Sequence, residues 1–150
     1  MRPLIPPPAL ALVLAILMWL AAHFVAVWRF AIPFQWIVAL TAFAAGLAFA
    51  VLSFRAFRRA GTTVSPRHIE QASALVTTGT FAISRNPMYL GLLLMLAAWA
   101  ILLGQALNLL LLMVFVVLIA TFQIAPEERM LREKFGEAYV DYCRRVRRWI

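Results

Sequence analysis

The chain has 150 residues, 65% of them hydrophobic against the roughly half found in ordinary soluble domains, and its mean hydropathy is +0.89. That composition excludes an ordinary soluble domain and describes an integral membrane protein. The net charge of +8 does not indicate nucleic acid, because the arginines stand at the ends of apolar runs, where membrane topology and anionic headgroups account for them.

After Arg2 and the stiff Pro6-Pro7-Pro8 tract, residues 9–28 form a first apolar run. It is about 20 residues long and lacks a small-x-small cleavage pattern, so it reads as a retained transmembrane helix rather than a secretory signal. A second run covers 34–54, and Arg29 and Pro33 lie in the short connection between the two. His23, near the end of the first run, is a polar residue within a span and therefore a candidate to touch substrate.

Arg55, Arg58, Arg59, Arg67 and Arg85 fall between the second and third runs, in a segment too polar to span and punctuated by Gly61, Pro66 and Gly79. His68 lies in the same loop. Runs three and four cover 87–103 and 106–124, and their connection around Gly104, Gln105 and Asn108 is uncharged. Each run suits a hydrocarbon core of about 30 Å, the third only marginally, and both short connections suit antiparallel hairpins.

Seven further basic residues follow the fourth run, from Arg129 to Arg148. Both basic segments are therefore expected on the cytoplasmic side, with both termini there too. Beyond Pro126, the residues Leu131, Phe135, Tyr139, Tyr142, Val146 and Trp149 recur every three or four positions, the stripe of an amphipathic helix divided at Gly136. The expected fold is all-α: four transmembrane helices in two hairpins plus a cytoplasmic amphipathic segment.

Two polar stretches at the cytoplasmic ends of the second hairpin carry the chemistry. In Arg85-Asn86-Pro87-Met88-Tyr89-Leu90-Gly91, the asparagine is expected to cap a helix that proline begins, leaving free N–H groups and a guanidinium fork beside them for an anion. In Pro126-Glu127-Glu128, two carboxylates are expected in a first helical turn, where the helix dipole favours them. Asp141 is the sole aspartate and there is no G-x-S-x-G elbow, which argues against a nucleophilic triad. A single cysteine, Cys143, rules out an intrachain disulfide and a cysteine-based metal site, and no metal is expected.

These stretches, with Phe135-Gly136 and Tyr139 after them, resemble the membrane methyltransferases that include isoprenylcysteine carboxyl methyltransferase and the phospholipid N-methyltransferases. The resemblance runs from about Gly61 to the C-terminus and implies one methyltransferase domain over 1–150, its cofactor-binding part being 61–150. It implies S-adenosylmethionine as cofactor, with contacts from Ser73, Ala74, Leu75, Val76, Phe81, Asn86, Pro87, Met88, Tyr89, Glu127 and Glu128. Arg85 and Glu127 are carried over as catalytic. Gly91 would admit a neighbouring helix or a ligand closely.

Four departures from the family pattern bear on chemistry. Asn86 stands where isoprenylcysteine methyltransferases usually have histidine, so no general base titrates there. Phe81 replaces a common tyrosine and keeps a stacking face without a phenol, and Thr80 replaces a common proline. Gln123 stands where those enzymes carry an arginine for the substrate carboxylate, and it is the candidate substrate contact. The resemblance implies methyl transfer to a lipophilic or prenylated acceptor in a bacterial inner membrane, with membrane lipids and no nucleic acid as partners. The alternatives are a membrane reductase using NADPH and a noncatalytic scaffold.

Overall fold

A computed structural model describes residues 6–61 and 74–150. The described residues are helical apart from turns and connections. α1 (Pro7–Phe24) and α2 (Gln35–Arg59) form the first hairpin, and a short 3₁₀ turn (Gly79–Ala82) precedes α3 (Pro87–Leu103). α4 (Asn108–Ile119) runs through a π turn (Ala120–Ile124) into α5 (Ala125–Phe135), and α6 (Glu137–Arg145) follows Gly136.

Among the described residues, three helical stretches are long and apolar enough to cross a membrane: Pro7–Phe24, Gln35–Arg59 and Asn108–Phe135. α3 is shorter at 17 residues, a rise of about 25 Å. Leu12, Phe43, Leu109, Leu110, Met113 and Phe122 are all exposed, which water would penalise and lipid would not. The protein is an integral membrane protein.

α1, α3 and α4 pack against one another around Leu14, Met18, Leu96, Phe115 and Ile119, while α2 lies along α3. The α2–α3 contact depends on two glycines. A Cβ on Gly91 would meet the Gly46 carbonyl at 2.7 Å, and a Cβ on Gly46 would meet the Gly91 carbonyl at 2.7 Å, so the backbones touch where no side chain intervenes. Gly91 therefore serves helix packing.

At the opposite end from the polar motifs, the two hairpin turns are knitted together. Phe30 N–H donates to Gly104 O at 2.8 Å and Ala106 N–H to Trp28 O at 3.0 Å. Gln105 Nε2 donates to the carbonyls of Val25 and Val27, and Gln35 Nε2 to Ile101 O at 2.6 Å, closing the end of α3. Gly104 sits at φ +59°, and a Cβ there would strike Phe30 O at 2.5 Å. His23 lies at this end, stacked on Trp19 with Phe24 edge-on, away from the polar motifs.

Because these turns are tied at one end, α2 delivers its C-terminus, α3 its N-terminus and α5 its carboxylates to the other. The spans differ from the hydropathy reading in detail. α1 stops at Phe24 rather than 28, because residues 25–30 leave the helix to bond the facing turn. Replacing Gly91 or Gly46 by valine is expected to lower stability by about 1–3 kcal/mol through overpacking, read from unfolding in detergent; unchanged stability would contradict the contact.

Candidate functional site

The polar end of the second hairpin is built on an irregular helix. Pro126 has no N–H to give to the carbonyl four residues back, Phe122, and the chain answers with a π turn in which Ala125 N–H reaches Ala120 O. The additional residue turns α5 by about 100° relative to α4, which sets where the side chains of Gln123, Glu127 and Glu128 stand. α5 thus continues an existing helix, with Ile124 itself at φ −67°, ψ −47°. The expected free first turn, whose dipole would favour Glu127 and Glu128, is not formed.

Other partners hold the two carboxylates instead. Tyr89 Oη donates to Glu127 Oε1 at 2.6 Å, and Gln123 Nε2 donates to the same oxygen at 2.5 Å. Gln123 is almost completely buried, so its amide has exchanged solvent for this carboxylate. Glu128 lies between two guanidinium groups: Arg85 Nη2 at 3.0 Å from Oε1, and Arg148 with Nε at 3.2 Å from Oε1 and Nη2 at 2.5 Å from Oε2. Hydrogen bonding to Glu128 raises the Arg148 guanidinium above its ordinary value.

Asn86 differs from the expected cap. It precedes α3, but its side-chain amide makes no capping bond and donates to Arg148 O at 3.0 Å. Its backbone N–H is taken by Ser84 Oγ at 3.1 Å, and Arg85 N–H donates to Arg147 O at 3.0 Å. Pro87 still begins the helix as expected, since that position needs no donor. Arg85 Nε is buried and has no hydrogen-bond partner among the described residues.

Beneath these groups the amphipathic segment packs as its periodicity indicates. Tyr139, Tyr142 and Val146 form a cluster with Leu75, Leu131, Phe135 and Cys143, and Gly136 at φ +52° divides α5 from α6. Tyr142 Oη donates to Phe81 O at 2.7 Å, tying α6 to the segment before α3. Burial pushes both phenols well above the usual tyrosine range, so both remain neutral donors. Phe81 is 7% exposed, with Phe57 edge-on at 5.0 Å, and its ring belongs to the packing between α2 and the 3₁₀ turn.

The structure therefore joins Arg85, Asn86, Tyr89, Gln123, Glu127 and Glu128 at one end of the molecule, with Met88 partly exposed on the first turn of α3. Leu75 and Val76 line a cavity of about 600 Å³ with Arg55, Arg59, Thr77 and Thr78, and Ala74 is half-buried just upstream. Ser73 and His68 lie outside the described residues. Sequence reasoning did not find Ser53, whose buried hydroxyl is 2.9 Å from that of Thr80, or Arg148, which looked like any other arginine of a basic tail.

If the Tyr89–Glu127 bond couples the two helices, Tyr89→Phe and Glu127→Ala will be non-additive in unfolding free energy by about 0.5–3 kcal/mol. Strictly additive losses in the double-mutant cycle would show that the contact carries no coupling.

Residues 34–138 match the family described as phospholipid methyltransferase. An uncharacterized protein of Haemophilus influenzae is 49% identical over 63 residues, 42% of this chain and the whole of that protein. No solved structure matches. The match spans α2, the polar motif at the start of α3, the second hairpin and the carboxylates of α5. The chain belongs to the phospholipid methyltransferase family and is a membrane methyltransferase.

Proposed function

We propose that the protein moves a methyl group from S-adenosylmethionine to a lipophilic acceptor held in the membrane, such as a phospholipid amine or an isoprenylcysteine carboxylate. The carrying observation is that Glu127 and Glu128 take partners from the motif at the start of α3, through Tyr89 and Arg85. When bound, the cofactor supplies an electrophilic methyl group on a sulfonium. The residues suit such a molecule: the unused buried Arg85 Nε is a donor for a carboxylate, and the Glu127 carboxylate, held by the uncharged Tyr89 and Gln123, favours positive charge.

On this reading one domain covers 1–150, with residues 61–150 holding the cofactor. Asn86, Pro87, Met88, Tyr89, Glu127 and Glu128 line it. Ser73, Ala74, Leu75, Val76 and Phe81 belong to the adenosyl side. Arg85 and Glu127 stand nearest the reaction, where they orient the reactants. Gln123 holds the Glu127 carboxylate through one amide donor, and its remaining amide groups are the candidate substrate contact.

An apolar groove of about 710 Å³ supports a lipophilic acceptor. It runs between α1, α2 and α3 from Leu92, one turn beyond Tyr89, to Trp36 and Leu102 near the hairpin turns. On this reading α3 is a fourth span of a protein of the bacterial inner membrane, and the excess of arginines at the polar end supports a cytoplasmic orientation for it.

In nanodiscs, calorimetry should record saturable S-adenosylmethionine binding that weakens at least about tenfold in Glu127→Ala, for the loss of one charged contact. Absence of binding by the folded parent would overturn the reading. For topology, Arg144→Cys in a Cys143→Ser background should react with an impermeant maleimide only in inside-out vesicles; labelling in intact spheroplasts would reverse the orientation.

A further inference from the structure

The last five residues fall beyond the stretch matched by the family, yet they are built into the site. Arg147 O accepts the Arg85 N–H, and Arg148 O accepts the Asn86 amide at 3.0 Å and the Ser84 hydroxyl at 3.3 Å. The Arg148 fork spans both oxygens of Glu128. Trp149 packs against the core cluster that contains Tyr89 and Ile124.

The neighbouring arginines behave differently. Arg144 is 71% exposed and pairs with Asp141 three residues before it, and Arg145 bonds Asp141 O, contacts confined to the surface of α6. A headgroup-facing arginine has no need to place two donors on a half-buried carboxylate. Arg148 does so twenty residues away in sequence, and the same carboxylate is the partner of Arg85. With Arg148 removed, Glu128 would keep Arg85 alone and both would gain freedom to turn.

We propose that Arg148 is a positioning residue for methyl transfer: its guanidinium holds Glu128 and thereby Arg85, and its carbonyl holds the Asn86 amide, in the orientation that receives the cofactor. This rests on the reading that Arg85, Asn86 and Glu128 face S-adenosylmethionine. The strap formed by residues 146–150 is then part of the cofactor site.

The test measures S-adenosylmethionine binding by calorimetry in nanodiscs for the parent, Arg148→Ala, Arg148→Lys and the surface control Arg144→Ala, with hydrogen exchange on each. Arg148→Ala should weaken binding about tenfold, as expected for a charged bidentate contact, and lysine should recover part of the loss. Exchange should quicken at the Arg85 amide and stay unchanged in α1 and α4. Parent-like binding by Arg148→Ala would overturn the inference while leaving the cofactor reading standing. A parent that binds nothing would overturn that reading and this inference with it. Weak binding accompanied by faster exchange throughout the helices, without rescue by lysine, would assign Arg148 to general stability and also overturn it.

Discussion

Carboxylates placed at the end of a membrane helix must find their partners inside the protein, because hydrocarbon offers none and a lone buried charge is costly. Glu127 and Glu128 impose that constraint here. Tyr89, Gln123, Arg85 and Arg148 satisfy it, and they come from α3, the π turn, the segment before α3 and the C-terminal strap. Meeting the needs of two adjacent residues therefore assembles four separate parts of the chain.

The remainder of the fold makes that meeting geometrically possible. The glycine contact between α2 and α3 brings the backbones together, and the interlocked hairpin turns fix which helix ends lie side by side. An apolar bundle in lipid gains little from hydrophobic burial between helices, so close backbone approach and internal hydrogen bonds carry its specificity. Position follows from packing: a cluster of charged and polar side chains stands at one end, continuous with helices that border lipid.

The hairpins, the four apolar runs and the divided amphipathic stripe were legible because each rests on periodicity or run length, which local sequence carries. That the two polar motifs meet at one end was legible for the same reason, since each stands where an apolar run begins or ends. Three features were not legible. Whether Asn86 caps its helix or bonds the strap depends on residues sixty positions away. The π turn around Pro126 replaced an expected helix start, since proline is equally at home in both. Arg148 could not be told from Arg144, Arg145 or Arg147 because only tertiary contact with Glu128 separates them.

The most direct measurement is methyl transfer itself. Purified protein in nanodiscs made with a bacterial lipid extract would be incubated with methyl-labelled S-adenosylmethionine and the lipids extracted. Label is expected in the organic phase and should grow with time and protein. Label confined to the aqueous phase, across phospholipid and prenylcysteine acceptors and with the protein folded, would contradict it.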